Sequence, residues 1–267
     1  MSNKFSDEHI RYLKGVKRKN RNILFTQIGL LVVGILLWEI SARLGWIDVF
    51  LYSSPSAIWK LFIDYAINGR LHYHIGISLM ETMAGFFLGT ALGVIIAILL
   101  WWSDFAAKVL DPYMVILNSL PKTALAPIFI ILFGAGYKGI IVTAISVSLV
   151  VTIMNMFSSY ISVDEDKLKL LETFGATKLQ VLRKVIIPSS IPDLISTLKV
   201  NIGLSWVGVI VGEFLVSKAG LGYLIVYGMQ VFRFDLVMMN VAVLGAISAI
   251  MYKVIAIVEE KFTKWQK

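Results

Sequence analysis

Long apolar runs alternate with short polar islands along this chain. Six of the runs approach the length of about 20 residues at which a helix crosses a bilayer. They cover residues 23–42, 84–102, 113–133, 140–157, 194–215 and 237–257. Strands of a membrane barrel would be shorter and would alternate apolar with polar residues, which these runs do not. The pattern therefore predicts an all-α integral membrane protein with six transmembrane helices.

Composition supports this interpretation. Of the 267 residues, 58% are hydrophobic and only 16% are charged, whereas about 25% are charged in a typical soluble domain. A soluble domain of this length would need more polar surface to cover itself. Pro121 and Pro127 fall inside the third run, so we expect the third transmembrane helix to be broken.

Basic residues set the expected orientation. Lys and Arg crowd the segment before the first run, and further ones follow the second, fourth and sixth runs. This bias predicts cytoplasmic termini, and it explains the net charge of +8 without a nucleic-acid partner. A cleaved secretory signal within residues 11–44 is the alternative, with a weak cleavage site at Ser41-Ala42. Arg43 directly after that site favours an uncleaved helix.

The expected orientation divides the chain into four parts. They are a cytoplasmic basic arm (1–22), the first transmembrane helix with an outer amphipathic segment (23–83), a core transmembrane domain (84–258) and a cytoplasmic tail (259–267). The core domain contains a cytoplasmic loop at residues 158–193. Ser54 and Pro55 predict a helix start in the outer segment. This helix would lie on the membrane surface or on the bundle through Ile58, Leu61, Phe62, Tyr65 and Ala66.

The sequence offers little for catalysis or metal binding. It contains no cysteine, which excludes disulfides and thiolate sites. His72 and His74 could form a metal pair, but no acidic cluster accompanies them. Phosphate-binding loops, nucleotide fingerprints and nucleophile elbows are missing. We therefore expect no metal, no cofactor and no enzymatic activity.

The loop at residues 158–193 reads as a helical hairpin. Residues 162–165 form a capping-box pattern, which predicts a helix start. Leu168, Leu171 and Phe174 then form an apolar stripe on a charged helix, with Leu170 beside it. Gly175 predicts the end of this helix, because glycine takes the left-handed conformation at low cost.

A second helix of the hairpin is predicted to start at Ala176-Thr177, and Pro188 and Pro192 predict its end. Two spans could be joined by far fewer residues. A docking surface for a soluble partner explains such a hairpin, while a passive connector on the membrane surface is the alternative.

The hairpin resembles the "EAA" motif of permease subunits of ATP-binding-cassette (ABC) importers. That motif reads Glu-Ala-Ala, three residues, Gly, nine residues, Ile, one residue, Leu-Pro. With Gly175 aligned, Val185 takes the Ile position and Ile187-Pro188 the Leu-Pro position. The Glu-Ala-Ala positions hold Lys169-Leu170-Leu171 instead, and Glu172 is the nearest acid.

Further segments resemble the nitrate, sulfonate and taurine group of these permeases, in the family's order. They are "SPSAIW" (54–59), "GFFLGTALG" (85–93), "LDPYMVILNSLPKTALAPIFIILFGAG" (110–136), "GLSWVGVIVGEF" (203–214) and "GLGYLI" (220–225). The resemblance implies a type I importer (MetI-like) fold in the cell membrane. It also implies a homodimer among membrane lipid, two cytoplasmic ATP-binding subunits and an extracytoplasmic substrate-binding protein.

The resemblance also implies which residues take part in coupling. The candidates for coupling to the ATPase are Lys169, Leu170, Leu171, Glu172, Phe174, Gly175, Lys178, Arg183 and Pro188. The solute would be nitrate, a sulfonate, taurine or a small organic nutrient such as a thiamine precursor. An ion-coupled secondary transporter and a membrane-embedded enzyme are the alternative functions.

Polar residues inside the apolar runs are candidates for the translocation pathway, because charges are costly in a bilayer. They are Asn118, Lys122, Asn201, Ser205, Trp206 and Glu213. Lys122 would suit an anionic solute, or it would fix the broken helix through a carbonyl contact or an ion pair. Gly85, Gly89 and Gly93, spaced by four residues, predict close helix packing.

Overall fold

The structure is a computed structural model that describes residues 7–263 and is helical throughout, with no strand among those residues. The α-helices are α1 (Asp7–Arg43), α2 (Val49–Tyr52), α3 (Pro55–Ile67), α4 (Arg70–Trp102), α5 (Asp104–Ser119), α6 (Ala126–Phe133), α7 (Tyr137–Ile161), α8 (Glu165–Thr173), α9 (Lys178–Val181), α10 (Ile187–Ser189), α11 (Ile191–Val216), α12 (Leu221–Gln230) and α13 (Phe234–Thr263). The ends of the predicted basic arm and tail, residues 1–6 and 264–267, lie outside the described residues.

The predicted spans correspond to helices of the structure. Five helices are long and apolar enough to cross a membrane: α1, α4, α7, α11 and α13. The third run forms two helices, α5 and α6, which are bent by 86° and joined through a short 3-10 turn at Lys122–Leu125. The predicted break is therefore confirmed. Pro121 lies in it, whereas Pro127 lies in the first turn of α6.

Glycines let the three central helices α4, α7 and α11 pack closely. A Cβ atom placed on Gly85 of α4 would lie 2.6 Å from the Ala144 side chain of α7. One placed on Gly208 of α11 would lie 2.5 Å from Ala144 Cα. Helices associate in membranes through such small-residue contacts. The prediction that Gly85, Gly89 and Gly93 serve packing is confirmed, since each faces α7.

The segment after α1 packs on the bundle. Ser54 caps α3, whose Ala57 N–H donates to the Ser54 hydroxyl. The predicted apolar face of α3 packs against a cluster that also contains Leu71, Trp206, Leu221 and Met239. The sequence left open whether this helix lies on the membrane surface or on the bundle. The structure shows that it packs on the bundle.

The bundle has two ends, named here by their contacts. The hairpin end holds α8 to α10, which pack near Ala97 of α4. The α12 end holds the N-terminus of α12, which contacts Ser78 of α4. Lys199 of α11 forms an ion pair with Glu259 of α13, near the last described residues.

We predict that Gly208→Ala destabilises the protein, because its new methyl group would meet the backbone of Ala144, which cannot move aside. Overpacking of this kind costs about 1–3 kcal/mol, or roughly 2–4 °C in Tm per kcal/mol for a chain of this size. Thermal unfolding of the detergent-purified protein measures the change. Gly203→Ala is the matched control, because its Cβ would meet nothing within 4 Å. An equal Tm in the two variants would contradict close packing of α7 and α11.

Candidate functional site

The turn of the predicted hairpin is built around Gly175. Its φ of 71° is left-handed. Gly175 N–H donates to Glu172 O (2.9 Å) and Ala176 N–H to Leu171 O (3.0 Å). These two bonds are the pattern of a glycine-terminated helix C-terminus. The prediction that Gly175 ends the first helix is confirmed.

The start of α8 differs in detail from the predicted capping box. Asp164 caps the helix, since its carboxylate accepts Asp166 N–H, and α8 begins at Glu165. Ser162 instead follows the last turn of α7, where its N–H donates to Ser158 O. The predicted cap at Ser162 is wrong because α7 continues to Ile161.

A capping residue sets the start of the second half of the hairpin, and the bend adjoins a proline. Thr177 caps α9 in a reciprocal capping box with Gln180. The helix then widens into a π turn at Leu182–Ile186, where Ile187 N–H donates to Leu182 O. Pro188 carries no N–H and cannot make the normal helical bond to the preceding turn, so the π turn adjoins the position where that bond is lost.

The apolar residues of the hairpin divide into an inward and an outward group. Val181, Leu182 and Ile186 pack with Ala97, Met156 and Tyr160 from α4 and α7, and Leu168 and Leu171 pack against this cluster. Phe174 is 78% exposed and Leu170 57% exposed. The apolar stripe predicted from the sequence is therefore split. Leu171 packs the hairpin against the bundle, and Phe174 and Leu170 face outward.

Lys178 ties the hairpin to the end of α4. Its ammonium donates to Trp102 O (2.6 Å) and lies over the rings of Trp101 and Trp102, at 5.4 Å and 5.5 Å from their centroids. Trp102 is the last residue of α4, where helical carbonyls lack partners. No local pattern predicts this contact, because Lys178 and Trp102 are 76 residues apart.

The remaining charged candidates of the hairpin are exposed. Lys169 forms an ion pair with Glu165 one turn earlier (3.2 Å). Glu172 and Arg183 are exposed on the hairpin surface. Leu170 and Phe174 are therefore the most exposed apolar pair of the hairpin and lie within a charged surround, while Leu179 and Ile187 are exposed to a smaller extent.

The broken span brings Asn118 and Lys122 together. Lys122 Nζ donates to Asn118 O (2.9 Å) and Asn118 Oδ1 (3.3 Å). Met114 of α5 packs near Ile153 of α7, and Ile130 of α6 packs near Gly139. The break therefore lies opposite the middle of α7. Lys122 is half-buried there, and Asn118 is exposed on the surface of the chain.

The other candidates for the pathway are buried between helices of the chain. Asn201 Nδ2 donates to Thr90 Oγ1 and Thr152 Oγ1, at 2.8 Å each, and so joins α11 to α4 and α7. Ser205 and Trp206 lie on the same helix and are buried as well. Of the six predicted pathway residues, only Asn118 and Lys122 reach the surface.

Glu213, the sixth candidate, binds the N-terminus of α12. Its Oε2 accepts Gly222 N–H and its Oε1 accepts the Ser78 hydroxyl, at 2.5 Å each. Leu221 N–H donates to Ser78 Oγ (2.7 Å) and Gly220 N–H to His74 Nδ1 (3.0 Å). The structure thus assigns His74 a backbone contact. No group of three or more metal-ligating side chains occurs among residues 7–263.

Sequence reasoning missed a polar groove at the hairpin end. The groove has a volume of about 340 Å³ and lies between α7 and α11. Ser159 of α7 donates across it to Asp193 Oδ2 in the first turn of α11 (2.5 Å). Its other lining residues are Asn155, Ser158, Ser162, Ser196 and Thr197. The three serines at 158, 159 and 162 were a sequence signal for this groove.

Curated relatives cover most of the chain. SsuC of Bacillus subtilis, whose name assigns it to aliphatic sulfonate transport, is 26% identical over 89% of this chain and 87% of its own length. The formylaminopyrimidine transport permease protein ThiX of Halalkalibacterium halodurans is 29% identical over 71% of this chain and 75% of its own. The taurine transport system permease protein TauC of Escherichia coli is 23% identical over 96% and 95%.

Solved structures share the fold. The membrane chain of a bacterial alginate ABC transporter, solved with an alginate-bound periplasmic protein, has a TM-score of 0.63 at 13% identity, covering 95% of this chain and 99% of its own. A chain of the MetNI methionine ABC transporter has a TM-score of 0.62 at 15% identity, covering 71% and 94%. The predicted type I, MetI-like importer fold is confirmed.

A family model matches residues 89–264, which include the C-terminal half of α4, the broken span, α7, the hairpin, α11 and α12. Its description names a membrane component of a transport system. The match to this family decides between the function classes that the sequence left open. The chain is a component of a binding-protein-dependent transport system, and it is neither a secondary transporter nor an enzyme. The chain belongs to the family of binding-protein-dependent transport system inner membrane components.

Proposed function

We propose that this chain is the membrane-spanning subunit of an ABC importer, and that residues 162–188 dock and couple an ATP-binding subunit. The observation that carries the proposal is the strong exposure of Phe174 and Leu170 on a hairpin whose residues Val181, Leu182 and Ile186 pack on α4 and α7. Large exposed apolar side chains outside a membrane indicate a partner. The hairpin end is then cytoplasmic, in agreement with the distribution of basic residues.

The attachment of the hairpin supports a coupling role. Lys178 and the cluster around Ile186 fix the hairpin to the ends of α4 and α7. A movement of the hairpin by a bound ATPase therefore has to move these helices. Lys169, Glu172 and Arg183 surround the apolar pair and would make rim contacts, which set specificity more than affinity. Pro188 and its π turn join the hairpin to α11.

The position of Lys122 supports a homodimer. A cation near the middle of a bilayer is costly when it faces lipid, and Lys122 lies at the protomer surface opposite the middle of α7. A second copy placed against α5 and α6 would enclose this surface in a shared cavity. Asn118 and Lys122 would then line the pathway. The buried candidates would act on the pathway indirectly, by packing the helices that surround it. They are Asn201, Ser205, Trp206 and Glu213.

The solute is proposed from the relatives. Their names give aliphatic sulfonates, taurine and formylaminopyrimidine. We propose a small solute of this range, a sulfonate or taurine-like compound or a thiamine precursor. An extracytoplasmic binding protein would deliver it at the α12 end, and two ATP-binding subunits would supply energy. ATP binding would shift the balance between inward-facing and outward-facing states.

The docking surface is tested by Phe174→Asp. An apolar anchor at the centre of an interface contributes about 2 kcal/mol or more, so we expect the Kd for the ATPase to rise at least about tenfold. Affinity measurement with the ATP-binding subunit encoded beside this chain gives the value. Thr173→Asp, which adds the same charge one residue earlier on the exposed surface, should bind as wild type does. Wild-type affinity in Phe174→Asp would contradict the proposal.

The turn is tested by Gly175→Val. The left-handed φ of 71° disfavours a β-branched residue, although nothing lies within 4 Å of the added Cβ. We expect ATP hydrolysis to continue while uptake per ATP falls several-fold, because a distorted hairpin transmits force poorly. Reconstituted vesicles give both rates. Asn tolerates this conformation, so Gly175→Asn should keep its coupling. Equal coupling in Val and Asn variants would show that the turn geometry is not needed.

The pathway is tested by Lys122→Met and Lys122→Arg. Loss of a charge-assisted contact to an anionic solute costs about 1.5–3 kcal/mol, so Lys122→Met should lower the uptake of a sulfonate about tenfold or more. Lys122→Arg keeps the cation and should retain most uptake. ATPase binding should equal wild type in both variants. Normal sulfonate uptake by Lys122→Met would remove this residue from the pathway.

A further inference from the structure

Two glutamates meet inside the bundle at the α12 end. The exposed fraction is 3% for Glu81 of α4 and 1% for Glu213 of α11. Glu81 lies three residues after Ser78 on the same face of α4, and the Ser78 hydroxyl donates to Glu213 Oε1 (2.5 Å), so the two carboxyl groups lie beside each other. Carboxylate oxygens only accept hydrogen bonds, so a bond between two carboxyl groups requires a proton on one of them. Two adjacent carboxylates in an apolar interior also cannot both remain charged. The contact therefore consists of one acid and one carboxylate.

The donors around Glu213 show which member is the carboxylate. Its Oε2 accepts Gly222 N–H, and its Oε1 accepts from Ser78. The Ser78 hydroxyl already accepts Leu221 N–H, so its own hydrogen is directed at Glu213. Both oxygens of Glu213 thus face donors. The partial positive charge at the N-terminus of α12 also favours a negative charge at this position.

Glu81 has a different environment. Its Oε2 is buried and has no hydrogen-bond partner among the described residues. An ionised carboxylate in this position would be strongly disfavoured, because a buried charge needs several donors. A protonated Glu81 has an O–H group, and the Glu213 carboxylate is the acceptor beside it.

We infer that Glu81 is a protonated acid which donates to the Glu213 carboxylate, and that this shared proton lets the two residues hold the N-terminus of α12 against α4 and α11. Both are positioning residues, since they act on α12. The inference goes beyond the proposed coupling role. It holds whichever side of the membrane the α12 end faces, and it does not require the hairpin to bind an ATPase.

The experiment compares Glu81→Gln with Glu213→Gln in the purified full chain. Glutamine at residue 81 keeps a donor toward Glu213, so we expect a wild-type Tm. Glutamine at residue 213 turns an N–H₂ group toward Ser78 or Gly222, which are donors, so we expect Tm to fall by about 5–10 °C. Equal destabilisation by the two substitutions, or a larger effect at residue 81, would overturn the assignment.

Infrared spectroscopy at neutral pH supplies a readout that packing alone does not change. The C=O stretch of a protonated carboxylic acid should be present in the wild type and absent from Glu81→Gln. Glu260→Gln, which removes an exposed carboxylate, should leave this band intact. Absence of the band in the wild type, or its persistence in Glu81→Gln, would overturn the inference. This test stands even if Glu213→Gln fails to fold.

Discussion

The structure depends on one constraint: a backbone polar group in an apolar medium must find a partner within the protein. Three departures from regular α-helix among the described residues illustrate this constraint. At the break after α5, Lys122 donates to Asn118 O. At the start of α12, three backbone N–H groups have no partner within the helix, and the side chains of His74, Ser78 and Glu213 accept them. Before Pro188, the helix widens so that Ile187 N–H reaches Leu182 O. Each departure is possible because a partner is supplied there.

The sequence predicts features that depend on local chemistry. Helix lengths, the break at Pro121 and the turn at Gly175 follow from residue type and spacing, and the structure confirms them. The sequence does not predict which side of α8 faces the bundle. Leu171 and Phe174 are both apolar, and they differ only in their neighbours in the folded structure. The Lys178 contact with Trp102 joins residues far apart in the chain. Distances of that kind are set by tertiary packing, which a local pattern does not encode.

Three glycines show why one residue type carries different constraints. Gly175 has free space around it but a left-handed backbone, so conformation selects it. Gly208 has a helical backbone but lies against Ala144, so space selects it. At Gly220 the backbone φ is 116° and a Cβ would also meet the Glu213 carboxyl. A substitution there would disturb both the turn after α11 and the carboxylate that caps α12. The sequence shows the same letter in all three positions.

The central helices connect the two ends of the bundle. Lys178 and the cluster around Ile186 hold the hairpin to one end of α4, while Ser78, near the other end of α4, holds α12. Between them, Gly85, Gly89 and Gly93 keep α4 in contact with α7 over about two turns. Close-packed interiors deform little, so α4 cannot absorb a displacement of the hairpin by bending locally. A shift that begins at the hairpin must then be taken up where α4 meets α12, at hydrogen bonds that a small sliding motion can break and remake.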